Sequence, residues 1–269
     1  MGTRAVLLAA AVATGCLDAP PASTAGACSS FSEWGDPVAV PGLSSILGTS
    51  PTVDAAASII VWETGAPDNQ LADGVRDGDG FAVSTSSMVA ELNTIDPDRN
   101  PTLSDDGLTI WFTRDTQDQT LLFASHRDAV TEPFPPADQV QGLEMGIEGP
   151  DVWDEAKQMV FSVQVDDLDL AHARCEDVRT CTYEGLLPGL QQELDDVYPT
   201  IRSDGLEIIY FSRATDGMVS ATRPGTSADF EPGGQLPFGG NDPELTADGT
   251  TLYFASDAVL YRSTRECIE

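Results

Sequence analysis

The sequence predicts an all-β protein: a five-bladed β-propeller of four-stranded antiparallel blades, closed by an N-terminal strand that completes the C-terminal blade. Three observations carry this. One motif is written five times, each copy is followed by further short β-rich segments, and no helical period of adequate length follows the first 20 residues. The clearest copy is Pro199-Thr-Ile-Arg-Ser-Asp-Gly-Leu-Glu-Ile-Ile-Tyr-Phe-Ser212. Its Asp204-Gly205 pair supplies the positive φ of a tight turn between two β-rich runs, the strongest short hairpin signal. Pro101–Thr113 and Pro243–Ala255 repeat it, with Asp106-Gly107 and Asp248-Gly249 at the turn. Copies at Pro51 and Pro150 lack the glycine. The prolines at 51, 101, 150, 199 and 243 are spaced by 50, 49, 49 and 44 residues, a blade-sized period.

In chain order, residues 1–16 read as an export signal: basic Arg4, an apolar run over 5–13, then small residues. Ala13-Thr14-Gly15-Cys16 is similar to a bacterial lipobox, with Ala13 where leucine is usual, and makes Cys16 the acylation candidate. The competing reading is an ordinary signal peptide with an incidental cysteine. Residues 17–30 are small, polar and proline-bearing, the composition of a tether. No other stretch is long and apolar enough to span a bilayer as a helix. The propeller is then expected over 31–269.

The third strand of each blade is expected at 80–85, 120–125, 168–173, 218–222 and 258–263. The fifth repeat ends one strand short, and residues 36–43 share a Val-x-Gly-Leu ending with 137–143, so they supply the missing outer strand. Such closure hides two sheet edges that would otherwise invite aggregation. With Cys16 set aside, Cys28, Cys175, Cys181 and Cys267 form an even set that allows three pairings. Cys175 and Cys181 bracket one short loop, while Cys28 and Cys267 lie just outside the two joined ends. Two structural disulfides follow, Cys175–Cys181 and Cys28–Cys267, rather than a zinc site, for which spacing and histidines are lacking.

The chain carries 44 acidic against 13 basic residues, a net charge of −31, with Lys157 its one lysine. Nucleic acid and anionic lipid are poor partners for such a surface. One reading of the acids is plain solubility, yet several fall at the leading prolines: Asp96, Asp98, Glu148, Asp151, Asp195, Asp196, Asp242 and Glu244. In a propeller those positions ring one mouth of the axial channel. Asp151, Glu244 and Asp242 are the candidate ligands there for a divalent cation, Ca²⁺ by the hardness of carboxylate oxygen. A second acidic stretch, 73–80, is expected to loop between the second and third strands of blade one, where a solvated turn competes with a Ca²⁺ loop.

Catalytic machinery is sparse. His126 and His172 are the two histidines, placed near third-strand ends, and no nucleophile or phosphate-loop motif is present. Glycosidases need only two carboxylates, and Asp54, Asp151 and Glu244 stand on or beside innermost strands. Trp153 and Tyr198 are the aromatic side chains placed to support a sugar. Trp62, Trp111, Phe112, Phe161, Tyr210, Phe211, Tyr253 and Phe254 sit at second-strand positions and are expected to pack between blades.

The motif at Pro101–Thr113, Pro199–Ser212 and Pro243–Ser256 resembles the WD40-like (PD40) β-propeller repeat of the TolB type, over about residues 31–267. The resemblance implies a cell-envelope protein, mostly of a non-catalytic kind that binds proteins through a propeller face. TolB carries a further N-terminal domain for which this chain has no room, so equivalence is not implied. The reading is therefore an exported, monomeric, lipid-anchored protein of the bacterial outer membrane or periplasm that binds an envelope protein, cation or glycan. A carbohydrate-active hydrolase is the alternative.

Overall fold

The structure, a computed structural model, describes residues 28, 30–65, 69–117, 119–164, 167–190 and 194–268. The signal segment 1–16, the acylation candidate Cys16 and the tether up to residue 27 lie outside the described residues.

The described chain forms five four-stranded antiparallel sheets and no helix. Blade one is β2 (Gly48–Val53), β3 (Ile59–Thr64), β4 (Leu71–Asp77) and β5 (Gly80–Val83). Blade two is β6 (Asp98–Leu103), β7 (Thr109–Asp115), β8 (Thr120–His126) and β9 (Asp138–Gln139). Blade three is β10 (Ile147–Trp153), β11 (Gln158–Gln164), β12 (Leu168–Asp177) and β13 (Thr180–Leu186). Blade four is β14 (Asp196–Ile201), β15 (Glu207–Ser212), β16 (Gly217–Thr222) and β17 (Glu231–Gln235). Blade five is β18 (Asn241–Leu245), β19 (Thr251–Ser256) and β20 (Val259–Thr264), completed at its outer edge by β1 (Val38–Ala39). Val38 pairs with Arg262 and Ala39 with Tyr261, so the two ends of the chain share one sheet.

Blade one corrects one expectation. Residues 71–77 are its third strand and 80–83 its fourth, so the acidic stretch 73–80 is not a loop between the second and third strands. Gly74 sits in the ladder, where an added Cβ would meet the Ala82 carbonyl oxygen at 2.9 Å. Asp73 points inward and accepts from Ser87 Oγ at 2.6 Å and Met88 N at 3.0 Å. Gly78, at φ 61°, makes the real turn.

Every inner strand bulges at its proline. The residue before it is left-handed in all five blades: Ser50 (φ 47°), Asn100 (47°), Gly149 (54°), Tyr198 (54°) and Asp242 (51°). The ladder register shifts at each of these sites. Proline lacks an N–H, and a bulge is where a ladder tolerates that loss. The bulge turns the side chains around it toward the channel.

Apolar side chains of facing sheets fill five cores between neighbouring blades. Trp62, Trp111, Phe112, Phe161, Tyr210, Tyr253 and Phe254 all belong to these cores, as expected. Phe211 does not, for a reason of register. Ladder partners align Thr52–Val61, Thr102–Trp111, Asp151–Val160, Thr200–Ile209 and Glu244–Tyr253. The aromatic pair of blade four is thus displaced one residue along β15, and Phe211 occupies the position held elsewhere by Glu63, Thr113, Ser162 and Ala255. A one-residue shift on a strand reverses the face a side chain takes.

Two disulfides are present, Cys28–Cys267 (S–S 2.04 Å) and Cys175–Cys181 (2.05 Å). On the face opposite the mouth, the three Asp-Gly turns are each clamped by an arginine leaving the third strand. Arg127, Arg223 and Arg265 donate from Nε to the carbonyl oxygens of Gly107, Gly205 and Gly249 at 3.0, 2.6 and 2.7 Å. At the matching ladder site blade three has Cys175, whose disulfide closes that edge instead.

Candidate functional site

The residue after each leading proline forms a buried belt around the axis: Thr52, Thr102, Asp151, Thr200 and Glu244. Asp151 accepts from Thr102 Oγ1 (2.9 Å), Val152 N (2.8 Å), Thr200 Oγ1 (3.0 Å) and Ile201 N (2.7 Å). Glu244 accepts through Oε1 from Thr52 Oγ1 at 2.9 Å and Val53 N at 3.1 Å. Thr52 and Thr200 accept in turn from Leu103 N (2.9 Å) and Leu245 N (2.8 Å). Each belt side chain thereby ties one blade to the next. Burial pushes both carboxyls up, and for Glu244 the neighbouring Asp151 charge adds to the rise.

Above the belt lies the ring of Ser50, Asn100, Gly149, Tyr198 and Asp242, where the channel narrows to a void of about 20 Å³. That is room for one water. Tyr198 is the one aromatic side chain of this ring and leans onto Gly149. An added Cβ on Gly149 would meet Tyr198 Cα at 2.7 Å and Cδ1 at 2.9 Å, so glycine is the residue that lets the tyrosine in. Asp242 accepts from Ser50 N at 3.3 Å and Asn241 Nδ2 at 3.2 Å, and burial raises its carboxyl to about 6. Burial also raises the Tyr198 hydroxyl, and the Asp242, Glu148 and Glu63 charges push it the same way.

The mouth itself mixes charges. Burial takes Glu63 to about 7 despite Arg99, and lifts Glu148 too. Arg99 pairs with Asp115 at 3.1 Å and Arg213 with Asp195 at 2.9 Å. Outside them, the links that enter the inner strands expose apolar side chains: Leu47, Leu194 and the fully exposed Ile95.

The expected funnel of acids is therefore assembled in part. Glu148 and Asp242 face the mouth, Asp195 is held by Arg213, and Asp151 and Glu244 belong to the belt beneath. Asp98 is buried behind the mouth on Arg114 at 2.6 Å, and Asp196, also buried, faces Ser212 across the ladder. Asp54 is on the opposite face, where it caps the β2–β3 turn through Ser58 N at 2.6 Å and Ile59 N at 3.1 Å. Trp153 is in the core between blades three and four. His126 Nδ1 bonds Thr109 Oγ1 at 2.9 Å, and His172 lies 3.5 Å from Glu184. Among the described residues no group of three acidic, histidine or cysteine side chains converges as a metal cage. Asp242 and Glu244 line the channel, whereas Asp151 has both oxygens engaged by the belt. Glu63, the threonines of the belt and the tyrosine plug escaped the sequence reading, although aligning the residues on either side of each proline displays all but Glu63.

Beside the mouth, blades four and five part to leave an open cleft of about 460 Å³. Tyr198, Phe211, Arg213, Asp216, Asn241 and Asp257 line it.

No protein-family model and no curated protein matches the chain. Solved structures do. A thermostable family-43 glycoside hydrolase aligns with TM-score 0.64 at 8% identity, over 86% of this chain and 94% of that one. A protein described as TolB from Agrobacterium tumefaciens aligns with TM-score 0.53 at 15% identity, over 79% and 71%. A gluconolactonase of Xanthomonas campestris aligns with TM-score 0.50 at 11% identity, over 91% and 93%. At these identities the likeness shows the propeller fold, which hosts catalytic and non-catalytic proteins alike.

Proposed function

We propose that this is a non-catalytic binding or scaffold protein of the cell envelope, engaging a partner through the mouth face of the propeller. The tyrosine plug carries the reading. The void beside Tyr198 measures about 20 Å³, room for a water and too little for a sugar ring. Asp151 is itself held by four donors, two of them from blades two and four. These carboxylates bind blades together. What the mouth offers instead is a partner surface: exposed apolar side chains at its rim around mixed charge. The two disulfides belong to an oxidising, exported compartment. Acylation of Cys16 would hold the protein at a membrane, and Cys16→Ser should then release it from the membrane fraction.

The hydrolase alternative is tested directly. A panel of aryl glycosides should show no turnover by the wild type, while Ile95→Asp and Leu47→Asp should weaken retention of envelope ligands. Turnover abolished by Asp151→Asn and Glu244→Gln in a folded variant would overturn the binding reading.

A further inference from the structure

We infer that the cleft between blades four and five is a saccharide site, taking the neutral, polyhydroxylated end of a glycan. The inference rests on reading the mouth face as a binding face, and it names the ligand of one part of that face.

The chain is short at the cleft. The link from β17 to β18 is five residues, 236–240, against seven to fourteen at the other inner-strand entries. The β19–β20 turn is two residues, Asp257 and Ala258, both left-handed (φ 51° and 59°). The step from Pro199 to Pro243 is likewise the shortest of the repeat. At about 460 Å³ the opening falls in the range of small-molecule sites, about 300–1,000 Å³.

At two positions its lining carries an aromatic side chain where the other four blades carry none. Tyr198 stands where the other blades have Ser50, Asn100, Gly149 and Asp242. Phe211 stands where they have Glu63, Thr113, Ser162 and Ala255. Both line the cleft. Phe211, displaced from the inter-blade pattern, and the part of Tyr198 that lines the cleft supply apolar surface for the C–H side of a sugar ring. The polar lining carries both signs: the Arg213 guanidinium, the Asp216 and Asp257 carboxylates and the Asn241 amide. Arg213 keeps Asp195 as its ion-pair partner at 2.9 Å, and an anion entering the cleft would meet the two aspartates. A polyol suits the set, because each hydroxyl both donates and accepts.

Saturation-transfer NMR and calorimetry on the purified protein test this, with maltotriose, xylobiose and N,N′-diacetylchitobiose as neutral probes. Pentalysine and digalacturonate are the charged controls. Saturable binding of a neutral probe is expected, weakened about tenfold or more by Phe211→Ala. The exposed side chains of Arg213 and Asp257 supply a second pair of variants, Arg213→Ala and Asp257→Asn, should Phe211→Ala fold poorly. Each should weaken the same probe. Failure of all neutral probes to bind, binding indifferent to these variants, or preference for a charged control would overturn the inference. Failure of the saccharides while Ile95→Asp still disrupts ligand retention would leave the binding-face reading standing. Turnover of a bound saccharide would sink that reading and leave the cleft assignment intact.

Discussion

Arg265 lays its guanidinium 3.7 Å above the ring of Phe31, joining the last strand of the propeller to the first described segment of the chain. The pair is the ring closure seen side chain by side chain. In blades two and four the clamp arginines stack on a phenylalanine seven residues downstream, Arg127 on Phe134 at 4.2 Å and Arg223 on Phe230 at 4.4 Å. In blade five Arg265 stacks instead on Phe31, which comes from the N-terminal side of the ring closure. Arg265 also forms a two-pronged pair with buried Glu207 of blade four, so the closure is anchored sideways too.

Phe31→Leu keeps most of the apolar volume and loses the cation–π contact, so it should cost about 0.5–2 kcal/mol in urea unfolding. Phe31→Ala loses both and should cost roughly 2–4 kcal/mol. A Phe31→Leu variant as stable as wild type would show that the ring contributes volume alone.

The two disulfides should differ in worth. On the chain-entropy account, the separation of 239 residues between Cys28 and Cys267 contributes about 5 kcal/mol, and the separation of 6 between Cys175 and Cys181 about 2 kcal/mol. Paired Cys→Ser variants compared by chemical denaturation check the order. A smaller loss for the Cys28–Cys267 pair would mean that strand pairing and the Phe31 stack already close the ring unaided.

Gly149→Ala should unseat the plug. The new Cβ meets Tyr198 Cα at 2.7 Å, on a backbone whose φ of 54° already disfavours a side chain. A loss of about 1–3 kcal/mol is expected, with tyrosine fluorescence more accessible to quencher. An unchanged Tm and quenching constant would remove the plug from this account.

Asp196 makes folding pH-dependent. Its carboxyl rises from 3.8 to about 6 on burial, so the folded state holds the proton more tightly than the unfolded one. Stability from this group is therefore present below 3.8 and is lost as the pH climbs through about 6. Asp196→Asn should be more stable than wild type by roughly 1–3 kcal/mol near pH 8 and little different near pH 4. A constant difference across that range would refute the assignment. Blade two shows the contrast, since Asp98 at the matching site has Arg114 across the ladder where Asp196 has Ser212.

The repeat with its Asp-Gly turns was enough to read five blades, their order and the borrowed outer strand, because turn chemistry and two-residue alternation are local. The cysteine pairs followed from that closure. The third strand of blade one was misplaced for the same local reason: 73–80 holds several turn-forming residues, and only pairing with β3 selects Gly78 as the turn. Acidity near the prolines was legible, but its division into roles was not. Whether a carboxylate faces the mouth, as Asp242 does, or is spent between blades, as Asp151 is, depends on the donors a neighbouring blade presents. Tyr198 needed the empty side of Gly149, two blades' contact that no single repeat contains. Phe211 needed the ladder register, which one residue of displacement inverts. Sequence alone determined the blades, since each is set by its own turns and strands. The channel plug, the belt and the cleft exist only where blades meet, and tertiary packing decided them.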